Sequence, residues 1–147
     1  LTNLKGSYFI TALNRSGNES LSSDTVHRDN CPYYLLPNVF TPNEDDKNDF
    51  FTPFYSNGSI PNFDYNKCPR FVKSVIFNVF NRTGVKLFSY NSLEDIENGI
   101  YINWDGKDFD GKDLASGTYY YTADIIYDIL DKENDQKQIK GWVQILK

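Results

Sequence analysis

The residues best suited to chemistry lie in an acidic stretch between apolar segments, LPNVFTPNEDDKNDFF at 36–51. Asn43, Asp45 and Asp49 stand at alternating positions and could supply the oxygen ligands that Ca²⁺ prefers. However, Lys47 places a cation where a further ligand would be needed, and no glutamate follows at the spacing of a bidentate ligand. Short polar side chains also hydrogen-bond their own backbone, which would make the stretch a structural turn. Both interpretations remain open: a calcium site and an Asx turn.

A second acidic run, DGKDFDGKD at 105–113, carries four aspartates, Asp105, Asp108, Asp110 and Asp113. Its two lysines and its glycine spacing favour two successive tight turns over a metal loop. Trp104 directly precedes the run and is interpreted as a core side chain, with a sugar-stacking platform as the alternative. Adjacent strand residues point to opposite faces, so the tyrosines at 119–121 must expose a ring, and Tyr120 could mark a partner surface.

Catalysis has no candidate in the sequence. His27 is the single histidine, and we find no Ser/His/Asp set, no Cys/His pair in a nucleophile context and no phosphate loop. We therefore expect a protein that is not an enzyme, with no cofactor apart from Ca²⁺ at the acidic stretch.

The cysteines, Cys31 and Cys68, predict a disulfide. A small, Tyr-rich and Asn-rich β domain is typical of exported proteins, in which disulfides persist. Closing that loop would stabilise the fold by about 4 kcal/mol in the chain-entropy treatment. Two separate reduced thiols are the alternative.

The composition bounds the class of protein. The chain has 147 residues, no methionine, 11 Tyr, 11 Phe and a net charge of −5. Aromatic and β-branched residues favour strands, and Asn, Asp, Gly and Pro favour the turns between them, which predicts an all-β fold. The acidic balance argues against binding to nucleic acid or to an anionic membrane surface. No apolar run approaches the ~18 residues of a membrane helix, so we expect no transmembrane segment.

Alternating apolar residues predict the elements that position these sites. A hairpin is expected within residues 7–26, and later strands are expected at Phe71–Phe80, Val85–Tyr90, Ile100–Trp104, Thr118–Leu130 and Ile139–Leu146. A polar loop is expected over 56–69, and a charged tip over 131–138. About seven strands after Cys31 predict an immunoglobulin-like antiparallel β-sandwich with an upstream partial β hairpin.

The pattern at residues 8–20, YFITALNRSGNES, resembles the last two strands of a fibronectin type III repeat. That resemblance implies a division of the chain into two parts. Residues 1–30 would be the C-terminal strands of a preceding repeat plus a linker, and residues 31–147 would be the next domain.

Four blocks in order, LPNVFTPNEDDKNDFF, VIFNVFNRTGVKLF, WDGKDFDGKDLASGTYYY and KGWVQILK, resemble the gliding-motility-associated C-terminal domain. This is the type B class of sorting domain of the type IX secretion system in Bacteroidetes. Three positions depart from it: the family's usual glycines are Glu44 and Asp46 here, and its usual aromatic after Asn81 and Arg82 is Thr83.

That resemblance implies a C-terminal secretion signal on a large cell-surface protein such as a gliding adhesin. The signal would act in the periplasm and guide export across the outer membrane to the cell surface or the medium. Its implied partners are the type IX translocon and an outer-membrane β-barrel protein of the PorP/SprF type. The rival hypothesis is a ligand-binding or carbohydrate-binding β-sandwich module of a surface adhesin.

Partner recognition is expected in the last strand, because a terminal strand can lie at a sheet edge where a partner adds a strand. Its residues are Lys140, Gly141, Trp142, Val143, Gln144, Ile145, Leu146 and Lys147. The alternative is ordinary closure of the sandwich, with Val143 and Ile145 pointing inward. The two roles are compatible.

Overall fold

A computed structural model describes residues 3–54 and 64–147 of the chain. The fold is all-β, as predicted, with seven strands arranged in two sheets. They are β1 (Gly6–Tyr8), β2 (Val26–Arg28), β3 (Val39–Phe40), β4 (Val72–Phe80), β5 (Lys86–Asn91), β6 (Gly117–Tyr127) and β7 (Gln136–Ile145). Within the described ranges the helical structure is a 3-10 turn at Tyr65–Lys67, and no helix there is long and apolar enough to span a membrane.

The larger sheet has five strands in the order β3-β7-β6-β4-β5. Its central strand, β6, follows the alternation predicted from the sequence: Tyr121, Ala123, Ile125 and Tyr127 are buried on one face. A strand with period-two apolar residues must bury that face, which fixes the register of its neighbours. The observed bounds of β4 to β7 lie within three residues of the predicted ones. The largest differences are the end of β6 at Tyr127 instead of Leu130 and the start of β7 at Gln136 instead of Ile139.

β1 and β2 form the upstream hairpin, with Ser7 opposite His27. The intervening chain turns at Asn14, whose side-chain Oδ1 accepts the backbone N–H groups of Ser16 at 2.9 Å and Asn18 at 3.0 Å. The predicted hairpin is therefore present, with regular strand pairing at its open end and one isolated bridge, between Leu13 and Glu19, near the turn.

β3 is short and parallel to β7, a pairing that the antiparallel prediction did not include. The Gln144 N–H donates to Asn38 O at 2.9 Å, and the Leu146 N–H donates to Phe40 O at 3.2 Å. Pro37 and Pro42 flank the strand, and neither carries a backbone donor, so the ladder stops after two residues.

The strand predicted at Ile100–Trp104 is wrong. In the described residues this segment forms only one isolated bridge, between Trp104 and Phe51. Asn103 adopts φ 43°, a left-handed conformation that interrupts the pleat. About seven strands were expected after Cys31, whereas the described residues there form five, because irregular segments take the place of further strands opposite the sheet.

The core lies between the large sheet and these irregular segments. Trp104, Phe51 and Phe77 are each 0% exposed. The Phe51 ring stacks on Phe77 at 5.4 Å between centroids, and Trp104 stacks on Phe88 at 5.7 Å. The Trp104 indole Nε1–H donates to Lys107 O at 2.8 Å, so its one polar group is satisfied. Trp104 is a core side chain, and it cannot serve as a sugar platform.

The predicted disulfide is absent, because Cys31 and Cys68 are free thiols. Tyr33 and Arg70 form an antiparallel bridge. Chains that pair antiparallel run in opposite directions, so the cysteines, each two residues before its bridge residue, leave the bridge on opposite sides. A disulfide requires the two Cα atoms to lie within about 7 Å. Residues 56–63 of the predicted polar loop lie outside the described residues.

Candidate functional site: the acidic turn and the last strand

The acidic turn directs its carboxylates at its own backbone. Asp49 Oδ1 accepts the N–H groups of Asn43 at 3.0 Å and Glu44 at 2.7 Å. Asp45 Oδ1 accepts the Lys47 N–H at 2.9 Å, and its Oδ2 accepts the Asn43 side-chain amide at 3.2 Å. Within residues 3–54 and 64–147, no three His, Cys, Asp or Glu side chains converge as a metal site would require. The geometry matches the Asx-turn interpretation, and calcium binding by Asn43, Asp45 and Asp49 stays a prediction.

Three residues of this turn adopt left-handed conformations: Glu44 at φ 62°, Asp46 at φ 64° and Asn48 at φ 55°. Glu44 and Asp46 are the two positions where the resemblance leads one to expect glycine. Glycine adopts positive φ without the steric cost that a Cβ imposes. The turn thus keeps a glycine-type geometry with side chains that strain it.

The second acidic run forms the two tight turns predicted for it. Asp105 Oδ1 accepts the Lys107 N–H at 3.2 Å, and Asp108 Oδ1 accepts the N–H groups of Asp110 and Lys112 at 3.0 Å each. The hydrogen bond and charge of Asp105, 3.1 Å from Lys107 Nζ, raise the pKa of that lysine. The Asp105 and Asp108 carboxylates therefore accept backbone N–H groups of their own turns.

A serine–histidine contact lies on the upstream hairpin, which the sequence did not suggest. Ser7 Oγ lies 2.8 Å from His27 Nδ1, and both side chains are exposed. Their directly opposed register on β1 and β2 explains the contact as an ordinary cross-strand pair. A catalytic pair would also need a group that orients the imidazole, and the contacts described in the structure give His27 only this serine.

β7 divides the predicted recognition residues between two environments. Val143 and Ile145 are each 0% exposed on the core face, whereas Trp142 is 47% exposed on the outer face. Gly141 lies under the Tyr121 ring, and a Cβ added there would sit 2.5 Å from the tyrosine hydroxyl. A glycine within a strand often marks such a close approach. Gly141, Val143 and Ile145 therefore serve the core, and Trp142 and Gln144 are free to meet a partner.

The outer face of the large sheet carries an aromatic row. Phe80 is opposite Tyr120, and Tyr120 is opposite Trp142, so three adjacent strands place rings side by side. Tyr120 is 49% exposed, as the alternation at 119–121 predicted. Aromatic side chains with a polar group are enriched at protein interfaces.

The acidic turn and the last strand lie within a single segment of the chain that matches a known protein family. The family model of the CHU_C type IX secretion signal domain matches residues 34–145. The chain belongs to this family. The resemblance to a type IX sorting domain is confirmed, and no curated protein matched the chain. The family is a sorting signal and not a catalytic domain, and it implies handling by the type IX secretion system and export to the cell surface or the medium.

The sorting domain is joined to the upstream hairpin by residues that the sequence did not single out. The Asp29 carboxylate accepts the N–H groups of Leu130 at 2.9 and 3.0 Å and Asp131 at 3.2 Å. Asn30 is buried, and its side chain donates to Asp128 O at 2.7 Å. Lys5 forms an ion pair with Asp128. Asp29 and Asn30 thereby lie against the loop between β6 and β7.

Partial desolvation at this junction raises the pKa of Asp29, but the backbone hydrogen bonds of Leu130, Asp131 and Asn30 outweigh it. The pKa of the carboxyl therefore lies below its ordinary value of 3.8. Asp29 stays charged where the junction needs an acceptor for three backbone donors. No sequence motif signals this role, because the partners lie about a hundred residues away.

Proposed function

We propose that this sorting domain directs a large cell-surface protein, a gliding adhesin, through the type IX system. An outer-membrane β-barrel protein of the PorP/SprF type recognises its last strand, Lys140–Lys147. Residues 1–30 are the end of a preceding fibronectin-like repeat and its linker. The observation that carries the proposal is the division of β7: Val143 and Ile145 are buried, while Trp142 remains half exposed.

This division lets one strand do two things. Its core side chains hold the sheet together, and its outer side chains remain available to a partner after folding. Exposed tryptophans are over-represented among the residues that dominate binding energy at protein interfaces. Trp142 is therefore the residue whose loss should cost recognition without costing the fold.

The test is export of a reporter passenger fused upstream of the whole chain in a cell with a type IX system. Trp142→Ala should leave the passenger in the periplasm, while the purified variant keeps the circular dichroism spectrum of the wild-type β-sheet. Ile76→Ala is the matched control, because Ile76 is 44% exposed on the same face but lies on β4. A folded Trp142→Ala variant that is displayed normally would refute recognition at this strand. Deleting residues 140–147 would be uninformative, because the deletion also removes buried core side chains.

The identity of the barrel partner calls for a separate experiment. The chain is tagged, expressed in the same cells, and crosslinked before outer-membrane proteins are purified with it. We expect a PorP/SprF-type barrel among the captured proteins for the wild type and the Ile76→Ala control, and its loss with Trp142→Ala. Capture of the translocon without such a barrel would assign recognition to the translocon itself.

A groove beside the aromatic row favours a second function, binding of a glycan or other ligand. It is open to solvent, has a volume of about 700 Å³ and is lined in part by Arg82, Thr83, Ser116 and Tyr120. Hydroxyls, a guanidinium and an exposed ring are groups that could hydrogen-bond and stack on a sugar. A glycan array should then show binding that Tyr120→Ala abolishes in a folded variant. An array without any bound glycan would remove this second function.

A further inference from the structure

Among the described residues, no strand pairs with most of the outer edge of β7. On one side β7 pairs with β6 along Gln136–Ile145. On the other side β3 pairs with it only at Gln144 and Ile145. The segment Gln136–Val143, which we name the open edge, therefore has no strand beside it within residues 3–54 and 64–147. At about 3.4 Å per residue it extends for roughly 27 Å, enough for a full partner strand.

The hydrogen bonds of β7 show which backbone groups face outward. The N–H groups of Gln144 and Leu146 bond to the β3 side, whereas Asp135 O accepts from Tyr127 on the β6 side. Residues of an antiparallel strand alternate between the two sides. The even-numbered residues Gln138, Lys140 and Trp142 consequently present both their N–H and C=O groups to the open edge.

The charge of this strand is opposite to that of the chain. The chain has 15 basic and 20 acidic residues, whereas Gln136–Lys147 holds three lysines and no acidic residue. Lys137 and Lys140, both exposed, make none of the ion pairs found in the described part of the chain. The nearest carboxylate across the ladder, Asp124, is bonded by Gln138 Nε2 at 2.6 Å.

Lysines on an open edge disfavour pairing with a second copy, because like charges directly opposite one another are destabilising. The same lysines favour a strand that carries carboxylates. The charge of the open edge therefore disfavours pairing with a second copy of β7 and favours pairing with an acidic strand.

We infer that the open edge accepts an extended, acidic segment of the partner protein as an added β-strand. This inference rests on the proposed recognition through the last strand, and it names the chemistry of what binds there. Main-chain hydrogen bonds to Gln138, Lys140 and Trp142 supply affinity, and the lysines supply selection.

Amide exchange measured by NMR on the whole chain tests the geometry. In the free protein the N–H groups of Lys140 and Trp142 should exchange quickly, while that of Gly141, which bonds to β6, stays protected. Millimolar amounts of a capped ten-residue peptide alternating Val and Glu should slow exchange at Lys140 and Trp142 at least about tenfold. A Val/Lys peptide should leave both unchanged. Slow exchange in the free chain, no slowing with the acidic peptide, or equal slowing with both peptides would overturn the inference.

Charge reversal tests the selection without disturbing the backbone. The double variant Lys137→Glu, Lys140→Glu should lose the protection given by the Val/Glu peptide and gain it with the Val/Lys peptide. An unchanged preference in the folded double variant would show that the lysines do not select the strand.

Export separates this inference from the proposed function. Lys140→Pro removes one outward N–H and keeps the ladder to β6, and Lys140→Ala removes the same side chain but keeps the N–H. Lys140→Ala, which loses the charge but keeps the N–H, should export less than the wild type, and folded Lys140→Pro should export less still. A lower export for Lys140→Pro than for Lys140→Ala supports strand addition, and equal export of the two would refute it. Normal export of Lys140→Pro with failure of Trp142→Ala would leave the proposed function standing and refute strand addition. Normal export of both Lys140→Pro and Trp142→Ala would refute strand addition and the proposed function together.

Discussion

Glycine at position 44 should stabilise the sorting domain. Glu44 adopts φ 62° in the acidic turn, and its side chain is exposed. The substitution therefore removes no core packing. The backbone N–H of Glu44, which donates to Asp49 Oδ1 at 2.7 Å, is kept in Glu44→Gly.

The magnitude follows from two opposing terms. A left-handed conformation costs an ordinary L-residue about 1–2 kcal/mol. Glycine offsets roughly 0.4–1 kcal/mol of this gain, because it raises the conformational entropy of the unfolded chain. We expect a net gain of about 1 kcal/mol in the free energy of unfolding. Asp46→Gly should gain less, since aspartate tolerates this conformation better than glutamate.

Urea unfolding of the chain, followed by tryptophan fluorescence, measures the effect. With a slope of about 2 kcal/mol/M, the midpoint should rise by about 0.5 M. Glu44→Ala is the control, because it removes the carboxylate but keeps the Cβ that causes the strain, and its midpoint should not rise. An equal rise for Ala and Gly would show that charge, and not backbone strain, was relieved. No rise for Gly would refute the strain itself.

Three further predictions concern the core, the junction and the metal. Gly141→Ala should destabilise the fold by about 1–3 kcal/mol through overpacking against Tyr121, and a cycle with Tyr121→Ala should show a smaller cost in that background. Asp29→Ala should lower the melting temperature above pH 4, where the wild-type carboxylate, with its pKa below 3.8, is charged. The difference in melting temperature between wild type and variant should shrink as the pH falls through that lowered pKa. A difference that stays constant down to pH 2 would contradict a stabilising role for the charged Asp29 carboxylate. Millimolar Ca²⁺ should leave the melting temperature unchanged, because Asp49 already accepts two backbone N–H groups; a rise that a chelator reverses would establish the calcium site.

The sequence predicted what depends on local pattern and missed what depends on distant partners. The alternation along β6 identified its buried face, and the turn residues identified the acidic turns, because side-chain direction and Asx hydrogen bonds are local. The parallel pairing of β3 with β7 joins residues about a hundred positions apart, and no local signal specifies it. The left-handed Asn103, which breaks a predicted strand, was also missed, because asparagine tolerates positive φ but does not require it.

The candidate site shows the same division. Exposure of Tyr120 and burial of Val143 were predictable from alternation alone. The open edge was not, because it depends on where β3 ends. The glycine positions of the family did contain a usable signal: they marked Glu44 and Asp46, where the structure shows positive φ.

The pairing of β3 with β7 has a consequence for the order of synthesis. The first strand of the large sheet is held by the last, so the sheet cannot close until the ribosome has made residue 145. A chain interrupted before Gln136 would carry β4, β5 and β6 with the edge of β6 unpaired and nothing to pair with β3. Non-local closure of this kind is slow to form. A secretion signal whose sheet closes only with β7 would therefore become functional only after β7 had been synthesised.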